Sequence, residues 1–215
     1  MAAPRSDVER RVVVPAAALL LLVGGIASGW LIASWHRGPG DASPEAGFAR
    51  DMATHHAQAA DMSFVIVAKS SDEELRTIAE DIIVTQSTQR GIFMGWLQQW
   101  GLPQASARPR MAWMPGHAQL AGSGGGVLMH GMASEAELAR LRDASGVDAE
   151  ILFLQLMIRH HEGGIVMTRA LVALTDRGEL IQMAKSIEDG QRVEIAHMKR
   201  MLDARGAKPL PSLLE

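Results

Sequence analysis

Cysteine is missing from all 215 residues, so a disulfide framework, a thiolate zinc site, a thioredoxin-type redox pair and a cysteine nucleophile are excluded. Tyrosine is missing too and phenylalanine occurs only four times, so something other than aromatic packing has to fill the interior. Neither sign of charge dominates: 21 Lys and Arg stand against 24 Asp and Glu, a formal net charge of -3. Without a long basic run, phosphates cannot be neutralised cooperatively, and nucleic acid is not expected as a partner. No nucleophile motif or Gly-rich phosphate loop stands out, and the chain is not read as an enzyme. Methionine, by contrast, is abundant, with 13 copies.

One apolar stretch is long. Val12 to Trp35 holds 24 residues (35 − 12 + 1) without a charge, and at about 1.5 Å per residue this exceeds the roughly 30 Å hydrocarbon core of a bilayer. Arg5, Arg10 and Arg11 precede it and Arg37 follows. The positive-inside bias therefore places residues 1–11 in the cytoplasm, a single-pass anchor at 12–35 in the cell membrane, and the remainder outside the cytoplasm. The competing reading is a cleaved signal peptide and a secreted product. The length of the run and the lack of a small-x-small site at its end favour the anchor. Residues 36–46, with Pro39 and Pro44, read as a tether. The folded domain is expected over 47–206, with 207–215 as a tail.

Self-similarity organises that domain. Phe48 matches Phe153, Met52 matches Met157, His55 and His56 match His160 and His161, and Met62 matches Met167, all at an offset of 105 (153 − 48). The same offset relates Leu75 to Leu180, Ile82 to Ile187, Gln86 to Gln191, Leu97 to Leu202 and Gly101 to Gly206. Apolar positions within each copy recur at steps of four and three, the stripe of a helix in a bundle. Each copy reads as a helical hairpin, at 47–101 and 148–206. Ser71 with Glu74 is expected to cap the second helix, and Gly101 before Pro103 to stop it. The fold class is therefore all-α, an antiparallel four-helix bundle made of two repeated hairpins. The Pro- and Gly-rich segment 102–147 joins them and holds one short helix capped by Ser134 and Glu137.

On a helical wheel Met52, His55, His56 and Met62 fall within about 120° of arc, facing the interior. Met52 is one turn from both histidines. Met62 lies about two turns away, which suits a second site or packing. Met157, His160, His161 and Met167 reproduce the arrangement. Imidazole with thioether and no thiolate suits copper, Cu(I) in particular, because polarisable sulfur favours a soft ion. Further candidates are Met111, Met114 and His117, then Met129, His130 and Met132, and finally His197 with Met201. A single Met in a helical stripe is ordinarily a core filler, and Met94, Met183 and Met198 are read so.

The segments from Phe48 to Met62 and from Met157 to Met167 closely resemble the two hallmark segments of the bacterial domain-of-unknown-function family 305. Met114-Pro-Gly and Met132-Ala-Ser are similar to its central segment, and the resemblance covers Gly47 to Gly206. It implies a ferritin-like bundle, secreted or membrane-anchored, some members of which bind copper in metal tolerance. The ligands it implies are Met52, His55, His56, Met62, Met157, His160, His161 and Met167. Ile158 departs from the family pattern.

Copper binding or transfer outside the cytoplasm is the leading expectation, with the metal ion, the membrane and a metal-transfer protein or second copy as partners. A ferritin-like dimetal oxidase is the enzymatic alternative. It needs bridging carboxylates on facing helices, yet Asp51 is matched by Leu156, Asp61 by Val166 and Glu162 by Ala57. A metal-free helical interaction module is the third reading.

Overall fold

A computed structural model describes residues 21–26, 28–29, 38–116 and 129–214. The chain divides into two units, Met1–Gly38 and Pro39–Glu215. In the first, residues 21–26 and 28–29 are helical. Most of the expected anchor at 12–35 lies outside the described residues, and among those described no helix is long and apolar enough to cross a membrane.

The second unit is all-helical: α1 Pro44–Lys69, α2 Glu73–Gln99, α3 Glu135–Asp143, α4 Gly146–Val172 and α5 Gly178–Ala204. α1 begins inside the stretch read as tether, because Ser43 accepts a hydrogen bond from the Ala46 amide and Pro44 sits in the first turn, where its missing N–H is harmless. α2 is capped by Asp72, which accepts from the Leu75 amide at 3.0 Å, and not by the expected Ser71. A carboxylate one position later serves the same orphan amides and adds a favourable charge at the positive helix end. Ser134 and Glu137 do form the expected capping box of α3.

Both hairpins end in the same way. Gly101 and Gly206 each adopt φ +69, with Leu102 N bonded to Leu97 O and Ala207 N to Leu202 O. Glycine supplies the left-handed residue that lets the chain turn back over its own last carbonyls.

α1 packs along α2, α4 along α5, and α1 along α4, while short α3 touches both α1 and α4. The burial pattern follows from this arrangement. α1 and α4 bury 15 and 16 residues, α2 and α5 only 7 and 8, so the first and fourth helices are central and the other two carry a wet face. The α2–α5 pair covers one side of the centre, and α3 with residues 129–133 covers the other. Arg159 of α4 holds α3 through a two-pronged bond to Glu137 at 2.9 and 2.8 Å. The tail folds back, with Lys208 O accepting from Gln155 and the Leu213 amide donating to buried Glu162.

The connection passes so close to α4 that a Cβ added to Gly163 would run into the His130 carbonyl, whereas one added to Gly91, mid-helix on α2, would meet nothing. Gly163→Ala should therefore cost about 1–3 kcal/mol in chemical denaturation, and Gly91→Ala should stabilise by about 0.5–1 kcal/mol. Equal midpoints for the two variants would contradict the packing of residues 129–133 on α4.

Candidate metal centre

α1 and α4 bring His55, His56, His160 and His161 into the interior, all with no exposed surface. The His55 and His160 rings lie against each other across the central seam, centroids 3.7 Å apart and planes 35° from parallel. His56 and His161 flank them, 6.2 and 6.4 Å from the ring before each in sequence. The flanking rings reach the outer helices: His56 Nε2 meets Gln89 Oε1 at 2.8 Å, and His161 Nε2 meets Glu194 Oε2 at 2.5 Å. Gln89 and Glu194 are themselves related by the repeat (194 − 89 = 105). His55 Nε2 faces the His130 carbonyl at 3.2 Å.

Carbonyl and carboxylate oxygens only accept, so in these three rings Nε2 carries the hydrogen and, when the ring is neutral, Nδ1 carries the lone pair. That Nδ1 has no partner in any of the four histidines, and His160 lacks a partner at Nε2 as well. Each unpaired buried nitrogen costs about 1–3 kcal/mol. Nitrogens of this kind, with the opposite N–H held by a backbone carbonyl, amide or carboxylate, are the way histidine is prepared to ligate a metal. Burial sets the charge: it pushes His55 down to about 3, only partly countered by the bond to the His130 carbonyl. Burial also holds His56 and His160 well below the ordinary histidine range, reinforced in each by the neighbouring His55.

The expected thioethers are all buried, but they divide between two clusters. Met52 and Met167 share one with Met111 and Met129; Met62 and Met157 share the other with Met198 and Met201. The central helices run antiparallel, so His55 and His160 meet where they cross, while equivalent residues away from that point lie toward opposite ends of the bundle. Partners across the seam are therefore the first Met of one copy and the second of the other. Met94, Met114, Met132 and Met183 pack half-buried around the Met52 cluster, and His117 lies outside the described residues. The pairing of His197 with Met201 does not hold: His197 bonds to Glu74 at 2.7 Å, while Met201 is buried in the Met62 cluster.

Carboxylates near the seam have other work. Asp51 accepts from the Met111 amide and Trp113 Nε1 at 2.8 and 2.9 Å, fixing a segment in which Met111 adopts φ 62. Burial raises the Asp51 pKa against those two bonds. Among the described residues, no three His, Asp or Glu side chains are placed to hold a metal ion between them. The donors available in the interior are thus imidazole nitrogens and thioethers. Sequence reasoning passed over Gln89, Glu194 and the His130 carbonyl; the offset that pairs Gln89 with Glu194 was the signal for the first two.

Metal-free protein should lose stability as pH falls. Below about 6.5 the unfolded chain protonates His55, His56 and His160 while the fold keeps them neutral, down to about 3 for His55; each such ring contributes a slope of up to about 1.4 kcal/mol per pH unit. Denaturation midpoints at pH 7 and 5 check this, and His160→Phe should flatten the difference. Equal midpoints for the wild type would mean that the rings are not held neutral.

Comparison with known proteins fits this geometry. A candidate secreted DUF305 protein from Streptomyces coelicolor is 40% identical, with 80% of this chain aligned to 99% of that one at a TM-score of 0.72. A DUF305 fragment from Deinococcus radiodurans is 35% identical over 75% of this chain and 96% of its own, TM-score 0.62. CopM in its Cu(II)-bound form is 28% identical, covering 75% and 97%, TM-score 0.56. No functionally curated protein matches. The family model, a domain of unknown function, runs over residues 45–202 and so takes in the first hairpin from its Gly47, the connection, the second hairpin as far as Leu202 and all four buried histidines. The chain belongs to the DUF305 family.

Proposed function

We propose that the chain binds copper, Cu(I) in particular, and stores or hands it on outside the cytoplasm as part of metal homeostasis. The observation that carries this is the set of five buried ring nitrogens without partners on His55, His56, His160 and His161. A bound ion would take up lone pairs that otherwise stay unsatisfied in a dry interior. The residues that would hold copper are those four histidines, with Met52 and Met167 as the thioethers of one cluster and Met62 and Met157 as those of the other. Neutral imidazole and thioether together favour a soft ion over a hard one. CopM, solved with Cu(II) and with Cu(I), supports the same reading. A location outside the cytoplasm draws support from the Streptomyces relative; an anchor at 12–35 rests on hydropathy and the flanking arginines.

A dimetal oxidase is less well supported. Asp51 and Glu162 serve backbone amides, which leaves Glu194 as the carboxylate bonded to one of the four rings, and bridging chemistry needs more than one.

Titration of the full chain with Cu(I), Cu(II), Zn(II) and Fe(II) tests the reading. Preferential Cu(I) uptake is expected. Met52→Leu with Met167→Leu keeps volume and should leave the melting temperature nearly unchanged. The same pair should weaken Cu(I) binding at least about tenfold, the range found even for outer-shell partners. Absence of uptake by the wild type would favour a metal-free module, and oxygen consumption with Fe(II) the oxidase.

A further inference from the structure

A groove of about 180 Å³ lies between α2 and α5. Gln86 and Gln191, equivalent under the repeat, line it while only 2% and 4% exposed, and neither amide has a partner for its oxygen or its nitrogen. An apolar side chain at either position would seal the seam without stranding polar atoms. Toward solvent, the rim is made of small exposed groups, Thr85, Ser186 and Gly190. Gln89 and Glu194, the residues bonded to His56 and His161, also line the groove and are themselves partly exposed. No Lys or Arg lines the groove, and Glu194 is its acidic group. In the second copy Gly164 makes room for the amide: a Cβ there would lie 2.5 Å from Gln191 Oε1.

Polar groups thus line the groove from its exposed rim to the side chains that touch the two flanking rings, with two unpaired amides among them. We propose that this groove is the passage by which a soft monovalent cation such as Cu(I) reaches and leaves the histidines. Gln86 and Gln191 replace its solvent shell on the way, and Glu194 attracts it. The proposal rests on the copper reading above and adds a route to it. A neutral oxygen donor holds a soft ion weakly, which suits transit, since a strong site in the passage would trap the cargo.

Because the protein has no cysteine of its own, a single engineered thiol can be capped selectively with a bulky maleimide. The full chain carrying capped S186C at the rim is compared with capped S71C, remote and exposed. Anaerobic Cu(I) is delivered from a chromogenic chelator, with Ag(I) as the redox-inert counterpart. Capped S186C should load and release the ion at least about tenfold more slowly, with the equilibrium affinity of the control. Gln86→Leu with Gln191→Leu should do the same while circular dichroism and melting stay native. Loading of capped S186C at the control rate overturns the passage while leaving copper binding intact. A parallel fall of affinity and rate in the leucine variant also overturns it, since the amides would then belong to the site itself. A wild type that takes up neither ion removes the copper reading and the passage together.

Discussion

Four imidazoles withdrawn from water at the seam of two central helices set the conditions that the rest of the bundle meets. His55, His56 and His160 have no carboxylate beside them, and burial therefore favours their neutral form. A neutral ring still has a donor to place, and Gln89, Glu194 and the His130 carbonyl each receive one. Those acceptors come from α2, α5 and the connection, so covering the seam and satisfying the rings are one requirement. The His55–His160 contact further demands a close approach of α1 and α4. Two glycines of α4 let the covering elements come equally close: Gly163 admits the His130 carbonyl and Gly164 the Gln191 amide.

Much of this was legible in the sequence. The offset of 105 exposed the hairpins, the twinned histidines, and the glycines that end each hairpin in the same left-handed turn. What it did not reveal was adjacency. A repeat says which residues are equivalent, and an antiparallel arrangement keeps together only those at the crossing point, as with His55 and His160, and sends the others to opposite ends. Met52 and Met157 look like one site in the sequence and fall into different clusters in the fold. Gln89 and Glu194 stayed hidden because a polar residue on an outer helix reads as solvated until its partner helix is placed. The cap of α2 missed by one residue for a simpler reason: Ser71 and Asp72 both have the chemistry, and local geometry decides between them.

The two copies are no longer chemically equal, and the inequality lies at the rings. The His130 carbonyl serves His55, and His160 has no corresponding acceptor, so it keeps both nitrogens unpaired. Gly163, which stands where the first copy has Gln58, admits that carbonyl, while Gln58 itself clasps Ala133 through paired bonds of 2.9 and 2.7 Å. The connection therefore reads the two central helices differently: it grips a side chain on α1 and fills a vacancy on α4. One asymmetric strap turns a symmetric pair of histidines into a supported ring and a free one.

Charge carries the asymmetry further. At the flanks His56 has an amide as its acceptor where His161 has a carboxylate. Thioethers carry no charge, and burial favours the neutral form of His55, His56 and His160, so the one anionic group bonded to the rings is Glu194. A monovalent cation and one carboxylate sum to zero. A divalent cation leaves a net positive charge in a medium that solvates it poorly, a penalty that grows steeply as the local dielectric falls. The proposed preference for Cu(I) over Cu(II) or Zn(II) would therefore have a second origin besides the softness of sulfur. Removing the carboxylate while keeping its hydrogen-bonding oxygen, as Glu194→Gln does, would separate the two: softness is untouched by the change, and charge balance is not.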